Sequence, residues 1–102
     1  MRYSSLVLAC VALASCERAP TYQQATEVAY ERATDLTFLD VGARSDCADD
    51  CSGHNAGFEW ARENGVTEIW DCPESRSASF REGCEAFAHF ISVSIDEQSW
   101  EP

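Results

Sequence analysis

Six cysteines in 102 residues constrain this chain more than any other feature. A core this small nets only a few kcal/mol, so cross-links or a metal decide whether it folds. The cysteines stand at positions 10, 16, 47, 51, 72 and 84. Their role depends on the compartment, and the amino terminus speaks to that.

Arg2 is the single charge in residues 1–15, and Leu6 to Ala14 is an unbroken run of nine apolar residues. That run suits a secretory h-region of roughly 7–15 residues and falls short of the ~20 a membrane-spanning helix needs. Leu13-Ala14-Ser15-Cys16 follows.

This ending resembles a bacterial lipobox: an aliphatic residue, two small residues, then cysteine. The resemblance covers residues 1–16. It implies cleavage before Cys16, a diacylglyceryl thioether on its sulfur and, as a rule, acylation of the new amino terminus. It makes 1–15 a lipoprotein signal peptide, 16–21 the lipidated cysteine with a short tether, and 22–102 a small cysteine-containing domain. Cys10 then lies inside the discarded segment. Two or three acyl chains hold a protein at a bilayer stably. Glu17 does not match the aspartate of an inner-membrane retention signal, which points to the outer membrane, facing the periplasm.

Maturation would leave 102 − 15 = 87 residues and, with Arg2 lost, a formal charge of −11 − 1 = −12. All seven basic residues are arginine. Phosphate binding needs a basic face, so such acidity argues against nucleic acid. It also opposes docking on anionic lipid, leaving the lipid on Cys16 as the membrane contact. A protein partner in the envelope is compatible with it.

Four cysteines remain in the domain: Cys47, Cys51, Cys72 and Cys84. In an oxidising compartment an even set implies two disulfides. On a helix, Cys47 and Cys51 would sit too far apart for a bridge, with Cβ atoms about 5–6 Å from each other against the ~3.5–4.5 Å a disulfide wants. The expectation is therefore bridges from the 47–51 segment to Cys72 and Cys84, in either order. The rival reading is zinc, with Cys47, Cys51 and His54 joined by Cys72 or Cys84. An even cysteine count leaves no free thiol for catalysis, and no catalytic residue or cofactor is assigned. His54 reads as a structural hydrogen-bond partner, and His89 as solvated.

The rest reads as mainly α: two to three helices, with room for a minor two-strand ribbon. Thr21 can cap a helix to Thr34 with Tyr22, Ala25, Val28, Ala29 and Ala33 on one side. A second starts near Asp49, Asp50 and Ser52, runs to about Asn64 and stops at Gly65. Cys51, His54, Phe58 and Ala61 share one side of it; Gly53 and Gly57 offer bare backbone to a neighbour. Ser79 and Glu82 form a capping-box pattern for a third helix, whose stripe is Phe80, Cys84, Phe87, Ala88 and Ile91. The alternation over residues 91–95 suggests a strand that could pair with residues 36–41. Trp100 is a candidate to fold back on the domain.

Asp46-Cys47-Ala48-Asp49-Asp50-Cys51-Ser52-Gly53-His54-Asn55-Ala56-Gly57-Phe58-Glu59-Trp60-Ala61 also resembles a small cysteine module of bacterial proteins. Ser77 to Cys84 is similar to its closing half, and Phe58 stands where tyrosine is usual. The likeness spans about residues 46–88 and implies architecture, with no mechanism attached. Two functions remain: a lipid-tethered envelope module that binds or builds, or an envelope zinc protein or enzyme using Cys/His ligands.

Overall fold

The computed structural model describes residues 19–41, 50–74 and 76–98. They form three helices, α1 (Tyr22–Ala33), α2 (Ser52–Glu63) and α3 (Ala78–Glu97), with short 3-10 turns at Leu39–Val41 and Ile69–Asp71. The lipobox, Cys47 and Trp100 lie outside the described residues. Both α1 and α2 pack on α3, the longest of the described helices and their hub.

α1 starts at Thr21 because two backbone donors are satisfied reciprocally there. The Gln24 N–H donates to Thr21 Oγ1 (3.2 Å), and the Thr21 N–H donates to Gln24 Oε1 (3.0 Å), a capping box. Its inward stripe is Ala25, Ala29 and Ala33, all fully buried. Side chains this small let the α1 backbone lie close to α3.

α2 begins just after Cys51, with the Ser52 N–H donating to Asp50 Oδ1 (3.0 Å). It ends as the glycine demands. Gly65 has φ +70°, and the Val66 N–H reaches back to the Ala61 carbonyl (3.1 Å). That bond closes a Schellman motif. Buried Val66 then supplies its apolar contact.

Two glycines set the α2–α3 crossing. A Cβ on Gly57 would fall 1.9 Å from the Phe80 carbonyl oxygen, and one on Gly83 would fall 1.9 Å from that of His54. Each helix thus presses bare backbone against the other. Around the crossing lie Phe58 and Phe87, edge to face at 5.2 Å, with Tyr30 against Phe87 at 5.4 Å. Ile91 and Ile95 continue the buried stripe of α3.

Three expectations are corrected. Among the described residues there is no β-strand. Residues 91–95 are helical because Ile91 and Ile95, four apart, extend the stripe, and Leu39–Val41 is a 3-10 turn. The cap of α3 is Ser77, whose Oγ accepts from the Phe80 N–H (3.1 Å); Ser79 falls inside the helix, and Glu82 turns to His54 instead. Third, Cys72 and Cys84 bond to each other, with S–S 2.03 Å and Cα–Cα 5.8 Å, not to the 47–51 segment. The helical objection to a local bridge loses its premise, because Cys51 precedes α2 with φ −92° and ψ 12°.

Candidate functional site

Two side-chain groups stand out once the helices are placed. One is buried, between α2 and α3. His54 is 5% exposed, and its Nε2 lies 2.8 Å from Glu82 Oε1. Its ring stacks on buried Phe38 with centroids 4.7 Å apart. Nδ1 is buried with no hydrogen-bond partner among the described residues. If Nε2 carries the proton and donates to the carboxylate, Nδ1 is a bare lone pair, which the apolar surroundings tolerate better than an orphaned N–H. The pair sits beside Gly83 and ties the two helices at their closest approach.

The other group is open to solvent. The turn Ile69–Asp71 projects two large apolar side chains outward, Ile69 at 52% and Trp70 at 76% exposure. Backbone bonds from the Asp71 N–H to Glu68 O (3.0 Å) and the Cys72 N–H to Ile69 O (3.1 Å) fix the turn. The Cys72–Cys84 disulfide then pins it to α3. An open groove of about 540 Å³ results, lined by Ile69, Trp70, Cys72, Glu74, Arg81 and Glu85. Arg81 Nε and Glu85 Oε2 are 3.8 Å apart on its α3 wall, a loose surface pair that contributes little to stability.

The structure distributes the residues singled out from sequence as follows. Cys16 and Cys47 lie outside the described residues. Cys51 is disulfide-bonded. Cys72 lines the groove and is bonded to buried Cys84, His54 pairs with Glu82, and His89 is exposed. The zinc reading needed thiolates, and Cys51, Cys72 and Cys84 are all in disulfides. Among the described residues no group of three His, Cys, Asp or Glu side chains is placed to hold a metal ion. Nor is any helix among them long and apolar enough to cross a membrane.

Sequence reasoning missed Trp70 and Arg62. The signal for Trp70 was Glu68-Ile69-Trp70-Asp71, two large apolar residues between acids with no helical or strand period around them. Arg62 lies in the last turn of α2, where a basic residue commonly serves its own helix end. Its guanidinium instead donates to the Ala33 carbonyl (2.9 Å) and the Leu36 carbonyl, and to Glu59 Oε1 (2.7 Å). It also lies 5.3 Å from the Phe58 ring centroid.

No protein-family model, curated protein or solved structure matches this chain. Its class therefore rests on its own architecture: a small three-helix domain, stapled by disulfide, with an outward groove beside Trp70.

Proposed function

We propose that this chain is a lipoprotein of the bacterial cell envelope, in which lipid on Cys16 tethers a three-helix binding module to the outer membrane, facing the periplasm. The observation that carries this is the sequence Leu13-Ala14-Ser15-Cys16 behind a short apolar run, with a helix cap at Thr21 only five residues further on. A segment of that length spans at most about 18 Å. The lipid would thus hold α1 close to the bilayer surface. The Cys72–Cys84 bridge supports an oxidising compartment, since such bonds are rare where thiols are kept reduced. The acidic surface supports anchoring by acyl chains over adsorption to anionic headgroups.

Membrane fractionation with fatty-acid labelling tests the proposal. The wild-type chain should sediment with membranes and carry label. Cys16→Ala should lose the label and leave the membrane fraction. A wild-type chain found without label in the soluble fraction would overturn it.

A further inference from the structure

The groove beside Trp70 has features that stability does not call for. A tryptophan 76% exposed contributes little to the core. Yet its turn is held rigidly, by backbone bonds within it and by the disulfide two residues on. Rigid presentation of an exposed indole lowers the ordering cost of binding, and tryptophan is prominent among residues that dominate interfaces.

The charge around it selects the partner. Glu74 and Glu85 line the groove, and exposed Asp71 adjoins Trp70 on the same turn. Arg81 is the single base in the lining, and it lies against Glu85. An indole face attracts cations, more strongly than any other aromatic side chain, and nearby carboxylates add to that attraction. Ile69 offers an apolar contact alongside.

We propose that the Ile69–Trp70 groove is a docking surface for a basic polypeptide segment, which places a lysine or arginine over the Trp70 indole between Glu74 and Glu85 and an apolar neighbour against Ile69. A second copy of the chain fits poorly, because a net charge of −11 with no lysine repels itself. A lipid surface fits poorly for a geometric reason as well. Gln98 Nε2 donates to the Ala25 carbonyl (2.8 Å), so the end of α3 lies beside the start of α1. Arg81 is 17 residues back along α3, about 25 Å away. In a chain anchored at Cys16, the groove is therefore at the end away from the bilayer. The proposal rests on the binding-module half of the function given above and is independent of the anchor.

The test is calorimetric titration of the full chain, purified as cells make it, with a short peptide alternating lysine and leucine, and with its glutamate-for-lysine counterpart. Wild type should bind the lysine peptide, more weakly as salt rises, and ignore the glutamate peptide. Trp70→Ala should weaken binding about tenfold or more, with an unchanged circular dichroism spectrum because the side chain is exposed. The double variant Glu74→Gln/Glu85→Gln should bind several-fold more weakly with a shallower salt dependence. Equal binding by wild type and Trp70→Ala, equal binding of the two peptides, or self-association that Trp70→Ala abolishes would each overturn the proposal. A chain that binds the lysine peptide through Trp70 but carries no lipid would sink the anchor alone, and a lipidated chain that ignores the peptide would sink the groove alone.

Discussion

Arg62 caps a helix it does not belong to: from α2, its guanidinium donates to the carbonyl of Ala33 at the end of α1, 2.9 Å away. The last carbonyls of a helix have no partner within it. Here one arginine reaches the last of them, at Ala33, and also the Leu36 carbonyl in the chain that follows, while its guanidinium lies near Phe58. Arg62→Met removes this donor from the Leu36 carbonyl and leaves the Ala33 carbonyl with the Leu36 N–H, and should cost about 1–3 kcal/mol in a urea titration. Arg62→Lys should also fall well below wild type, because an ammonium lacks the planar fork.

The glycine crossing gives a sharper expectation. Gly57→Ala and Gly83→Ala each drive a methyl into backbone, with no flexible side chain to yield. Each should cost about 3 kcal/mol or more in thermal unfolding, because the helices must separate. Gly65→Ala meets open space but must hold φ +70°, so its cost should be smaller, about 1 kcal/mol.

Disulfide pairing is decided by digestion without reduction. With no lysine in the chain, trypsin separates residues 45–62, 63–76 and 82–102. The fragment with Cys72 should run linked to the fragment with Cys84, and the fragment with Cys51 should run apart from both. Linkage of 45–62 to either of the others would restore the pairing expected from sequence. Replacing Cys72 and Cys84 together by alanine should cost about 2–3 kcal/mol, as expected for a loop of this size.

Alkaline stability should report Tyr30. Burial, with the nearby Asp71 carboxylate adding to it, raises its pKa from 10.0 to about 12, and its hydroxyl donates to the Val66 carbonyl (2.6 Å). Because the folded value is the higher one, this contribution is complete below pH 10 and is lost as pH climbs from there through 12. Ultraviolet titration should show one tyrosine ionising late, and Tyr30→Phe should remove that late step. A Tyr30 that ionises near the ordinary tyrosine value of about 10 would contradict the buried bond.

What the sequence made legible followed from local chemistry. Thr21, Gly65, and the stripe from Phe80 to Ile91 mark helices by caps and period, and all three helices are present. The glycine contact was legible at Gly57 because bare backbone on a helix face invites a neighbour; its counterpart Gly83 is visible only once α3 is placed. The strand at residues 91–95 misled because five alternating residues also fit positions i and i+4 of a helix. Ser77 and Ser79 both offer a hydroxyl near the start of α3, and only tertiary placement, with Glu82 drawn to His54, chooses between them. The bridge pairing depended on where α2 begins, and helix boundaries are the least legible property of a sequence. Trp70 and Arg62 draw their roles from partners far along the chain, which no local pattern encodes.

The most direct test of the whole account is the intact mass of the protein extracted from cell membranes. The account predicts residues 16–102 carrying diacylglyceryl and a further acyl chain, less four hydrogens for two disulfides, one through Cys51 and one joining Cys72 to Cys84. A chain that still carries residues 1–15, or one that starts at Cys16 with a bare thiol and no lipid, would contradict it.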